Sequence, residues 1–143
     1  MAEFTLSLKE LNDLSKQLST MGERGKDIAE RMLYAGGAVV KEQLREDSRV
    51  HYDKGDMYRG IGYTDPKGKG TERYVNVYPR GTVKRGKKTV SNALKGFVLN
   101  YGSPWISGDE WFDKGVLASE KSAVDAMEKV FYENAEKIFK IKL

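Results

Sequence analysis

Gly81-Thr82-Val83-Lys84-Arg85-Gly86-Lys87-Lys88-Thr89 is the stretch that comes nearest to a named chemistry. A loop that cradles nucleotide phosphates places a lysine after its second glycine and a hydroxyl residue directly after that lysine, to reach the metal. Here Lys88 stands in the hydroxyl position and Thr89 comes one residue late. No apolar run ending in aspartate follows to hold a metal from the other side, so the stretch reads as a basic loop. His51 is the lone histidine. A general base needs an orienting partner and a nucleophile beside it. Asp47, Ser48 and Asp53 could be cast in those roles, but nothing in their spacing demands it. With no cysteine, one histidine and scattered carboxylates, no metal-ligand spacing is present. The expectation is a chain without cofactor or metal and without an enzymatic role.

The charge distribution carries more weight. Net charge is +4, yet between Arg73 and Gly108 there is no Asp or Glu while Arg73, Arg80, Lys84, Arg85, Lys87, Lys88 and Lys95 all fall there. Cations so grouped meet phosphates without sequence preference, through counterion release, or meet an acidic protein surface. The loop lacks interleaved aromatics for base stacking, and no helix carries its cations on one face for groove reading. Arg80, Lys84, Arg85, Lys87 and Lys88 are expected to face a partner or DNA, the competing reading being a solvated loop with no partner. The turn residues Lys67 and Lys69, with the aromatics Trp105, Trp111 and Phe112, are candidate interface positions. Plugging the end of the sheet is the competing role for at least one of the tryptophans.

These residues need a scaffold, and 143 residues suit one domain with a core of its own. Residues 1–26 read as an N-terminal helix ended by a glycine break. Ser7-Leu8-Lys9-Glu10 has the form of a capping box, and Leu8, Leu11, Leu18 and Met21 recur at helical spacing. Residues 27–50 read as a second helix, capped at Asp27, whose Gly36-Gly37 pair suits close packing against another backbone. Residues 54–103 read as a β-sheet with a basic loop at 79–92. Met57 to Tyr63, Thr71 to Tyr78 and Gly96 to Asn100 are its strands, and Asp65 to Gly70 is a hairpin tip. Residues 115–141 read as a long C-terminal helix with Leu117, Val124, Met127, Phe131, Ala135 and Ile138 along one stripe. The fold class expected is α+β, helices packed on a small antiparallel sheet. No apolar run approaches the ~20 residues of a membrane span, and Met1-Ala2-Glu3-Phe4 has no export-signal character.

The order of short motifs resembles the head–tail joining, tail-completion or neck family of long-tailed bacteriophages. Met32-Leu33-Tyr34-Ala35-Gly36-Gly37-Ala38-Val39-Val40-Lys41 is similar to that family's small-residue helix. Lys54-Gly55-Asp56-Met57-Tyr58-Arg59-Gly60-Ile61 is a degenerate form of its T-G-x-L-[RK]-x-S-I turn. Phe97-Val98-Leu99-Asn100-Tyr101-Gly102-Ser103, followed by Trp111-Phe112 and a helix, resembles its E-[YF]-G-[ST] segment and aromatic pair. Asn100 stands where an acidic residue is usual, Glu110 where proline is common, and Lys114-Gly115 where Pro-Ala is usual. The resemblance implies a structural virion protein that assembles as a hexameric ring around the DNA channel, monomeric in solution until it docks. It implies neighbouring neck and tail proteins as partners, non-specific contact with genomic DNA, and passage through the host cytoplasm during assembly. The alternative from the residues alone is a small basic nucleic-acid-binding protein without sequence specificity.

Overall fold

Phe4–Ser7 alternates apolar with polar residues and forms a strand, β1, with Leu6 turned into the core. The computed structural model describes residues 2–8, 11–69 and 72–139, with Asn12 and 135–139 as backbone alone. Ser7 thus lies in a strand rather than in a capping box, and Lys9 and Glu10 of that box lie outside the described residues, as do Gly70 and Thr71. The first helix, α1, covers Asn12–Ser19 and starts after Leu11 without a side-chain cap.

The second helix, α2, spans Glu23–Asp47 and starts four residues before the expected Asp27 cap. Gly22, at φ 62°, makes the break. Gly25 does not break the helix, because its missing Cβ leaves room for the Leu18 carbonyl where α1 packs on the first turn of α2. Gly36 and Gly37 serve close packing as expected, but side chains rather than backbone fill the space. A Cβ on Gly36 would sit 2.7 Å from Met127 Sδ, and one on Gly37 3.2 Å from the Tyr63 ring.

A 3-10 turn at Ser48–His51 ends α2. The expected strand Met57–Tyr63 is divided: Asp56–Gly60 is a short helix, α3, and only Ile61–Tyr63 is strand, β2. Gly55 at φ 81° opens α3, and Met57 is buried from it. Tyr74–Pro79 forms β3, whose Val75 and Val77 are fully buried on one face. The sheet order is β1-β3-β2, antiparallel throughout, with Leu6 opposite Val75 and Gly62 opposite Tyr78.

Thr82–Arg85 and Lys88–Ser91 form β4 and β5, a separate hairpin. The third expected strand, Gly96–Asn100, is instead part of a helix, α4, at Asn92–Tyr101. Ser91 sets it, its hydroxyl accepting the Leu94 N–H at 3.2 Å as an N-cap. Ala93, Gly96 and Asn100 then bury at helical spacing. Gly102–Ser103 and Ile106–Ser107 form a minimal hairpin, β6 and β7. The last helix, α5, runs from Trp111 to Phe139, beginning four residues ahead of the expected start. Its buried stripe is Ser119, Ala123, Met127 and Phe131, while Leu117 is 72% exposed and off that stripe. The Ala135 and Ile138 side chains lie outside the described residues.

The architecture is α+β: α2 and α5 pack along one another, and the small sheet lies on α2. One core cluster joins α1, α2, β1 and Phe131; a second joins Val40, Leu44, Ile61, Val77, Trp111 and Phe112.

Candidate assembly interface

The first turn of α5 shows how the aromatic pair is positioned. Buried Asn100 accepts the Phe112 and Asp113 N–H groups at 2.9 and 3.2 Å through Oδ1, and donates to Asp113 Oδ2 at 3.1 Å. Asp109 Oδ1 accepts the Trp111 N–H at 3.0 Å. Otherwise orphaned donors at the helix start are thus satisfied by side chains from before it. Glu110 holds φ 58° and donates its N–H to the Asn100 carbonyl at 2.9 Å. Proline allows neither that φ nor that bond, which accounts for its absence here. Asn100→Ala is expected to destabilise the fold by about 2–3 kcal/mol by leaving buried donors unpaired. Asn100→Asp, which keeps the acceptor but sets a carboxylate against Asp113, should lose less. Urea unfolding of both variants checks this order.

Trp111 and Phe112 are 4% and 2% exposed, with the indole Nε1 donating to the Gly96 carbonyl at 3.3 Å. Both lie in the core, which agrees with the plugging role for Trp111 and corrects the reading of Trp111 and Phe112 as candidate interface positions. Trp105 is the opposite case. It sits at the tip of the β6–β7 hairpin, 89% exposed. Leu94, Tyr101 and Ile106 are exposed along the outer face of α4 and the hairpin that continues it. Lys67 and Lys69 are exposed in the β2–β3 connection, where Lys67 exchanges two backbone hydrogen bonds with Tyr74.

The basic segment is an ordered hairpin, not an open loop. Gly86 takes φ 65° at the first turn position, where a II′ turn takes glycine. Buried Asn92 fastens the base, its N–H bonding to the Gly81 carbonyl at 3.0 Å and Nδ2 to the Arg80 carbonyl at 2.8 Å. The five cations do not converge. Arg85 turns onto the body and pairs with Asp56. Arg80 points the other way and donates to the Tyr63 carbonyl at 2.8 Å. Lys84, Lys87 and Lys88 stay exposed on the hairpin.

A strand rather than a helix follows Gly86-Lys87, so the segment cannot form a phosphate-cradling loop. His51 has a carboxylate partner, Asp109, 2.7 Å from Nε2, and among the described residues no hydroxyl is hydrogen-bonded to its ring. The Ser48 hydroxyl is buried and donates to the Arg45 carbonyl at 2.8 Å, and Asp47 accepts from Gln43. The His51–Asp109 contact ties the end of α2 to the start of α5. The Tyr34 hydroxyl is pushed above the usual phenol range, first by desolvation and then by the Asp65 carboxylate it donates to at 3.4 Å. Arg49 is also raised, chiefly by its hydrogen bond to Glu46. Both shifts hold their groups protonated, so neither supplies a base. Among the described residues no group of potential metal ligands gathers, and no helix is long and apolar enough to cross a membrane.

A feature that charge counting along the sequence missed is a cleft of about 470 Å³ beside β2, whose charged lining is Lys41, Arg45, Arg59 and Arg80. Those four cations come from α2, α3 and the residue after β3, so no local run announces them.

The described residues form an α+β body with two outlying hairpins, and no nucleophile, base and metal ligands converge among them. The chain belongs to the HK97-gp10-like family, whose description reads "Bacteriophage HK97-gp10, putative tail-component" and whose model matches residues 12–93. That match runs from α1 into α4 and is consistent with the phage head–tail resemblance. No curated protein and no solved structure matches the chain.

Proposed function

We propose that the protein is a virion subunit that joins phage head to tail, a tail-completion or neck piece seated around the DNA channel. The observation that carries this reading is the exposure of four large apolar side chains, Leu94, Tyr101, Trp105 and Ile106, on α4 and the β6–β7 hairpin of a chain of the HK97-gp10-like family. Aromatic anchors of this kind supply much of the energy of protein interfaces, and a soluble protein rarely presents them without a partner. These apolar side chains serve one neighbour and the β4–β5 hairpin another, a heterologous arrangement that closes into a ring when the rotation permits. A hexameric ring fits the resemblance, with the subunit monomeric until it docks on neck or tail proteins.

Electron microscopy of lysates from a phage lacking this gene tests the role. Full heads and tails that fail to join, or tails with defective upper ends, are the expected result. Intact infectious virions would remove it. A free nucleic-acid-binding protein is the second reading, favoured by the cationic cleft. It requires submicromolar affinity for DNA or RNA that falls steeply with salt.

A further inference from the structure

We infer that the cleft beside β2, and not the basic hairpin, is a binding site for the phosphodiester backbone of double-stranded DNA. The inference stands on the cleft and does not depend on the joining role.

Lys41, Arg45, Arg59 and Arg80 line the cleft, and no carboxylate does among the described residues. The way these cations are held matters more than their number. Arg45 donates through Nε to the Ile61 carbonyl at 3.3 Å and through Nη2 to the Arg59 carbonyl at 3.2 Å. Arg80 donates through Nη1 to the Tyr63 carbonyl at 2.8 Å. A carbonyl fixes a guanidinium without cancelling its charge, and each fork keeps N–H groups free for phosphate oxygens. Lys41 lies 5.9 Å from the centroid of the Tyr63 ring, a neutral neighbour. Among the described residues, Arg59 alone of the four has a carboxylate partner, Asp56 at 3.0 Å, and Asp56 is shared with Arg85.

The hairpin compares poorly. Its Arg85 shares the Asp56 carboxylate with Arg59 of the cleft, and its three exposed lysines are single flexible charges whose ordering costs entropy on binding. The cleft offers pre-positioned guanidiniums in an open trough. Its one aromatic lining residue among those described, Tyr63, is half-buried with its ring packed against Gly37 and Tyr34 and below Lys41. That ring is poorly placed to stack an unpaired base, and the chemistry the cleft fits is the backbone of a duplex, read without sequence preference.

The test is titration of the purified protein with a labelled random-sequence duplex over a salt series. Four phosphate contacts give a slope of log affinity on log salt of about −3.6. Lys41→Gln with Arg59→Gln should bring the slope to about −1.8. This pair leaves Arg45 and Arg80 in place, and circular dichroism checks that the variant folds. Lys87→Gln with Lys88→Gln removes the same charge from the hairpin and should leave the slope unchanged. Three results overturn the inference: no duplex binding by the natural protein at low salt, equal losses in the two variants, or poly-glutamate binding more tightly than the duplex. The last would assign the cleft to an acidic protein face. None of these results bears on whether heads and tails join in a lysate, so the two proposals fail separately.

Discussion

Phe131→Ala should remove about 3–5 kcal/mol of stability, against a total of roughly 5–15 kcal/mol for a domain of this kind. Phe131 is 2% exposed and lies in the cluster where α5 meets α1, α2 and β1. It is one helical turn past Met127, which packs on the bare backbone at Gly36. Truncating the ring opens a cavity at the junction of four elements, none of which can close it without leaving its other contacts. The thermal midpoint should fall by on the order of 10 °C. Tyr132, the next residue, is 44% exposed, and its truncation should cost less than about 1 kcal/mol. Circular dichroism melts of the two variants give the comparison. Equal, small losses would mean that α5 does not dock through this stripe.

The two tryptophans should separate folding from assembly. Trp105→Ala is expected to leave stability within about 0.5 kcal/mol of the natural protein, because the indole is 89% exposed and packs on little. Supplied to a phage lacking the gene, the same variant should rescue poorly. A central aromatic anchor contributes about 2 kcal/mol or more to an interface, which is on the order of a thirtyfold loss of binding. Trp111→Ala should fail differently, by unfolding, since that ring is buried and bonded to Gly96. Normal rescue by Trp105→Ala would remove the hairpin tip from the joining interface.

The contrast shows what the sequence could and could not convey. Both tryptophans stand in a similar Gly, Pro, Ser and Asp context, and their fates differ because Asn100 and Asp109 start α5 just before Trp111. That start was legible only as a departure from the family pattern, an asparagine in place of an acid. The small-residue helix α2, the antiparallel β2–β3 pair and the long last helix were legible from periodicity and turn residues. Helix α4 was not, because Phe97-Val98-Leu99 has strand character. The Ser91 cap and the Ala93, Gly96, Asn100 spacing were the signal that could have found it. The cationic cleft was invisible for a different reason. Lys41 and Arg45 are one turn apart on α2, and only the sheet edge brings Arg59 and Arg80 to them. Charge counted along the chain finds Lys84 to Lys88; charge counted in space finds the cleft.

The guanidiniums of Arg45 and Arg80, which lie against β2, also bear on how the sheet ends. β2 is one of the two outer strands of its sheet, and its outward carbonyls at Ile61 and Tyr63 are the groups a further strand would pair with. Arg45 and Arg80 occupy both, so an approaching strand must displace two guanidiniums before it gains a first bond. Edges left open template uncontrolled polymerisation. Strand addition along this border is thereby opposed.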